Sequence, residues 1–106
     1  MKLRDFKETL LEDLKDPEFA VHYLTDALEE NDIAGFLLAV RDVIEARGGV
    51  GKFSAQAGSL HRVSLYKTLS DNGNPLFATM VDILNALGVG LRPYLKDEPS
   101  ARSKSA

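Results

Sequence analysis

The stretch Val50-Gly51-Lys52-Phe53-Ser54-Ala55-Gln56-Ala57-Gly58-Ser59-Leu60-His61-Arg62-Val63-Ser64-Leu65-Tyr66-Lys67-Thr68-Leu69 decides the fold. It reads as two short helical runs, Val50 to Ala57 and Arg62 to Leu69, separated by Gly58-Ser59-Leu60-His61. A glycine just past a helix end takes positive φ without a Cβ clash, so a sharp turn fits there. A helix-turn-helix unit crosses its first helix over its second. It needs a small residue at the crossing, a glycine in the turn and apolar anchors beneath the second helix. Ser54, Gly58 and the pair Leu65 and Leu69 fill those places, while Phe53 and Ala57 bury the first helix.

With Leu65 and Leu69 turned inward, Arg62, Val63 and Ser64 open the second helix and Lys67 faces outward one turn on. The first turn of such a helix enters the major groove of DNA, where arginine pairs with guanine and short hydroxyls meet bases or phosphates. Lys52 and Lys67 suit phosphate contacts, which position a protein without reading sequence. Ser59, His61 and Thr68 complete the expected DNA-contacting set, His61 as a cap or a phosphate contact. Tyr66, beside Leu65, is expected to pack partly buried.

Charge supports this reading locally. The chain of 106 residues carries a net charge of −3, which argues at first sight against a polyanionic partner. The distribution is uneven: Met1 to Gly48 has 6 basic and 12 acidic residues, giving −6, and Gly49 to Ala106 has 7 basic and 4 acidic, giving +3. Between Val50 and Leu69 the only charges are Lys52, Arg62 and Lys67, with His61 beside them. An acid-free surface of this kind suits phosphates whatever the total charge.

Upstream, Leu3, Phe6, Leu10 and Leu14 mark one amphipathic helix, with Glu8, Glu12, Asp13 and Lys15 on its other face. Asp16-Pro17-Glu18 then supplies an N-cap, a proline for the first helical position and an acid for the first turn. The helix that follows has Ala20, Leu24, Ala27 and Leu28 as its stripe, flanked by Tyr23, and ends at Glu29-Glu30-Asn31. Asp32 is placed to cap a third helix with Ile33, Leu37, Val40 and Ile44 on one face, widened by Phe36 and Val43 and stopped by Gly48-Gly49. Downstream, Ser70-Asp71-Asn72-Gly73-Asn74-Pro75 is dense in turn formers. It precedes a helix using Met80, Val81, Ile83, Leu84 and Leu87, closed by Gly88.

Val89, Leu91 and Pro93 hint at an extended segment over Val89 to Leu95. The expected fold class is all-α, about six helices around one core, since about 100 to 150 residues is the commonest domain size. Residues 1–95 are expected to form that domain, with 3–30 as N-terminal helices and 32–88 as the helix-turn-helix core. Residues 96–106, polar and rich in serine, are expected to be a disordered tail.

Other chemistries find little support. Apolar residues make up 44% and charged residues 27%, the balance of a soluble globular chain, and no apolar run approaches the length that crosses a bilayer. There is no cysteine, and the start Met1-Lys2-Leu3-Arg4-Asp5 lacks the apolar core of a secretory signal, so a cytoplasmic setting is expected. His22 and His61 lack the close spacing of metal ligands, and His22 with Asp26 reads as a helix-surface pair. Glu12-Asp13 and Glu29-Glu30 are neighbours that point apart on a helix, and Gly49-Val50-Gly51 and Gly88-Val89-Gly90 lack the rest of a phosphate loop. No catalytic residue, cofactor or metal is expected.

The residues also carry a resemblance. Ala57 to Ser70, followed by Gly73-Asn74-Pro75 and by Thr79-Met80-Val81-Asp82-Ile83-Leu84-Asn85-Ala86-Leu87-Gly88, resembles the addiction-module antidote proteins, the antitoxins of bacterial toxin–antitoxin pairs. The likeness extends back through Ala46-Arg47-Gly48-Gly49 and Tyr23 to Glu30, and Arg4 to Thr9 looks like the opening of related small regulators. One departure stands out: the family usually runs directly from the Ala-Gly pair into Leu-His-Arg or Leu-Ser-Arg, whereas this chain inserts Ser59, a longer turn that would tilt the recognition helix.

The resemblance implies a lambda-repressor-like helix-turn-helix domain with two additional N-terminal helices. It would bind operator DNA as a homodimer, repress its own operon and neutralise a small toxin that cuts mRNA. Two readings of the function remain at this point. One is a sequence-specific DNA-binding antitoxin; the other is a protein-interaction module of the same fold, whose acidic N-terminal half is the working surface.

Overall fold

The computed structural model describes residues 3–30, 32–57, 62–69 and 74–97. Six helices follow one another: α1 (Leu3–Asp13), α2 (Pro17–Glu29), α3 (Ile33–Ala46), α4 (Val50–Ala57), α5 (Arg62–Thr68) and α6 (Phe77–Ala86). The chain is all-α, with no strand among the described residues. Val89–Leu95 forms no strand with the described residues, and most of it lies exposed.

Local chemistry sets most of the boundaries. Asp16 takes extended backbone and its Oδ1 accepts the Glu18 N–H at 3.1 Å, while Pro17 occupies the first helical position of α2. Asp32 stands at the cap of α3 but makes no side-chain cap bond. Its Oδ2 leans over Gly35 instead, where a Cβ would meet it at 2.7 Å, and only its carbonyl serves the helix, accepting the Phe36 N–H at 2.9 Å.

The ends of α3 and α6 are built alike. After α3, the Gly49 N–H bonds the Ile44 carbonyl at 3.0 Å and the Gly48 N–H bonds that of Glu45 at 3.1 Å. After α6, the Val89 N–H bonds the Leu84 carbonyl at 2.8 Å and the Gly88 N–H that of Asn85 at 3.0 Å. Both turns need a residue with positive φ, supplied by Gly48 at 111° and Gly88 at 82°. Gly49 then opens α4 by accepting the Phe53 N–H at 3.0 Å, so two adjacent glycines end one helix and redirect the chain into the next.

α3 is the shared wall of the core. α1 and α2 pack on it from one part of the chain and α4 from another, with α5 packed on α4. Val40, Val43 and Ile44 are fully excluded from solvent, as are Leu14 of the α1–α2 turn and Ile83 of α6. Leu65, Leu69, Leu84 and Leu87 join the same continuous apolar cluster. No described helix is long and apolar enough to cross a membrane.

Several expected stripe residues lie outside that cluster. Phe6 is 56% exposed, because a step of four residues drifts about 40° around a helix of 3.6 residues per turn, and the inward line of α1 runs through Leu10 and Leu14 instead. Leu28 is left out of the α2 stripe by the same drift. Ile33 shares the inward face of α3 but sits in its first turn, beyond the reach of a covering element, and is 59% exposed. Tyr66 is 55% exposed rather than partly buried, since it lies a quarter turn away from Leu65.

Candidate nucleic-acid interface

The α4–α5 pair has the anchoring that the sequence predicts. Phe53 is 4% exposed, and Leu65 and Leu69 are 2% exposed, so each short helix is pinned to the core by large apolar side chains. Leu65 and Leu69 stand one turn apart, which fixes the inward face of α5, and the Leu69 N–H closes that turn on the Leu65 carbonyl at 2.9 Å. Helices this short are marginal alone, so the pair holds its shape because it is packed.

Turning that face inward sends Lys67 and Tyr66 outward; both are exposed, and Thr68 is half-buried at the edge. Lys52, in the first turn of α4, is exposed at its head while its stem crosses the backbone of Gly48, where a Cβ would come within 2.6 Å of Lys52 Cδ. Gly48 therefore serves two ends: its backbone conformation stops α3, and its bare Cα lets the lysine stem lie flat. Arg62, Val63 and Ser64 fall in the first turn of α5, as expected, with their side chains outside the described residues. Ser59 and His61 also lie outside the described residues, as do Gly58 and the tail beyond Asp97.

Away from this pair, three polar links were not read from the sequence. The Arg47 guanidinium, at the end of α3, donates from Nη1 to the Leu87 carbonyl at 2.8 Å. It brings a cation to the negative end of α6 and ties the two similar helix ends together. The Tyr23 hydroxyl donates to Asp42 Oδ2 at 2.6 Å and so satisfies a carboxylate that is 9% exposed. Burial, then the hydrogen bond to Asp42 and its charge, push the Tyr23 phenol above its ordinary value, so it stays a protonated donor. Lys7 and Glu45 form an exposed ion pair at 3.3 Å between α1 and α3. A tyrosine beside an apolar stripe and an arginine at a helix end were the available signals, but their partners lie 19 and 40 residues away.

His22 and Asp26 are both exposed on α2. Among the described residues no group of three or more histidines and carboxylates converges on a point that could hold a metal.

The geometry defines a small all-helical protein whose paired short helices are carried on a buried central helix. The family described as "Probable addiction module antidote protein" matches residues 3–94. The chain belongs to this family, and membership implies a cognate toxin as its partner. It is 36% identical over 89 residues to a protein of Haemophilus influenzae described only as "Uncharacterized protein", a likeness that covers 76% of this chain and 90% of the relative. No solved structure matches the chain.

Proposed function

We propose that this chain is a DNA-binding transcriptional regulator, the antitoxin of a toxin–antitoxin module that represses its own operon and neutralises a small ribonuclease toxin in the cytoplasm. The observation that carries the reading is the α4–α5 pair: two short packed helices of a stretch with no acid, anchored by Leu65 and Leu69. In this reading 3–30 are N-terminal additions to a lambda-repressor-like helix-turn-helix core over 32–88. Arg62, Val63 and Ser64 meet base edges from the first turn of α5. Lys52, Lys67 and Thr68, with Ser59 and His61 from the turn, hold the phosphates. One recognition helix spans too few bases for an operator, so the working form is a homodimer on paired half-sites. The antitoxin itself catalyses nothing and needs no cofactor. The acid-rich helices α1 and α2 suit a basic toxin.

Titrating the full chain against DNA from upstream of its own gene, with random DNA as competitor and at several salt concentrations, tests the reading. Binding to the upstream DNA survives competitor. Arg62→Ala weakens it by about 1–3 kcal/mol and relaxes sequence preference, whereas Lys67→Ala weakens all sequences alike and lowers the salt slope by about 1. Weak, sequence-blind binding that disappears with salt would transfer the function to the acidic face, as a protein-interaction module of the same fold.

A further inference from the structure

We infer that the apolar groove between the end of α2, the start of α3 and α6 is the surface on which a second copy of this chain docks. The inference rests on the dimer in the proposed function and supplies its interface. The groove has a volume of about 300 Å³. Core side chains Phe36, Leu37, Met80 and Leu84 form its floor, and Ile33 and Phe77 stand on its rim. Phe77 is 74% exposed and Leu76 beside it 75%, the largest apolar exposures among the described residues of the helical body. Contiguous apolar surface of this kind marks a protein–protein contact.

The chain's own neighbouring segments do not supply an occupant. Ser70-Asp71-Asn72-Gly73 and Glu98 to Ala106 contain no leucine, isoleucine, valine, methionine or aromatic residue that could replace water in such a groove. A second copy does. Each copy offers both a projecting ring, Phe77, and a concave floor, so a two-fold operation can seat each ring on the partner's floor.

The charges around the groove select the same occupant. Glu29 and Glu30 follow the lining residue Leu28 and Asp32 precedes Ile33, while Arg92 follows the lining residue Leu91. A two-fold axis running along the groove, between those edges, sets the acidic edge of one copy against the basic edge of the next.

The test is sedimentation equilibrium of the full chain without DNA, with circular dichroism to verify folding of each variant. Wild type is expected to be a dimer at micromolar concentration. Phe77→Glu and, from the opposite rim, Ile33→Glu are expected to weaken it roughly thirty-fold, as loss of a central apolar anchor does. Phe6→Glu, at a comparably exposed ring on α1, is expected to change nothing. Monomeric wild type overturns the inference, and so does a dimer indifferent to both groove variants. Assembly that requires an added basic toxin also overturns it and gives the groove to that partner. Because no DNA is present, a groove dimer that ignores its operator retains this inference while removing DNA binding. Operator binding by a dimer insensitive to Phe77→Glu does the reverse.

Discussion

The acidic pair α1–α2 and the α4–α5 pair lean on the same helix but are attached differently. α2 is tied to α3 by a phenol–carboxylate bond as well as by Ala20 and Leu24, and α1 adds the Lys7–Glu45 ion pair to Leu10 and Leu14. On the other side Phe53, Leu65 and Leu69 are the large buried anchors, and the connection from α3 is a turn of two glycines. The difference teaches how a helix pair is given a working face. Inward leucines fix its orientation by burial, and helical geometry then turns the residues between them, Tyr66 and Lys67, outward.

The largest expected effect breaks both attachments together. Ile44 is fully buried in α3, and Ile44→Ala should cost about 2–5 kcal/mol through lost burial and the cavity left behind. Urea unfolding should move to lower denaturant as a single transition, with amide exchange in α2 and α5 accelerating together. A variant that released only one pair would show that α3 does not couple them.

A smaller effect separates the two sides. Tyr23→Phe leaves Asp42 without its phenol donor at 9% exposure, a loss of about 1–3 kcal/mol for a buried acceptor deprived of a partner. Exchange should quicken at the α2–α3 contact before it does in α5.

The same residue gives the molecule an alkaline limit. The folded phenol holds its proton above the ordinary value of 10.0, so above that pH the folded chain binds more protons than the unfolded one and stability falls as pH rises. The contribution is complete below that value and is lost progressively above it. Tyr23→Phe should flatten the alkaline side of the stability profile; an unchanged alkaline slope would remove Tyr23 as its cause.

The smallest effect concerns the exposed pair. Lys7→Ala should cost about 0.2–1 kcal/mol at low salt and almost nothing in high salt, because both partners of the 3.3 Å contact are about half exposed. A thermal melt in low and high salt measures both. A cost that persists in high salt would mean that the lysine stem, rather than its charge, holds α1.

Much of this was legible from the residues. Asp16-Pro17, Gly48-Gly49 and Gly88 placed helix ends because capping and positive φ are decided within a few residues. The pair Phe53 with Leu65 and Leu69 was legible because helical spacing marks an inward face. Arg62, Val63 and Ser64 fell in the first turn of α5 for the same reason. Asp32 misled, since a capping residue type does not guarantee a capping bond when the side chain can lie over a glycine in the next turn. Phe6, Leu28 and Ile33 misled because an apolar residue on or near a stripe is buried only if another element covers it.

The sequence by itself therefore determined the six helices, their order and the residues that open α5, since hydrogen bonds and steric limits within one or two turns settle those matters. Only the tertiary structure decided that Tyr23 meets Asp42, that Arg47 reaches the end of α6, and that Phe77 stands exposed over an apolar groove. Those outcomes depend on how helices distant in the chain share one limited volume, and no local pattern carries that information.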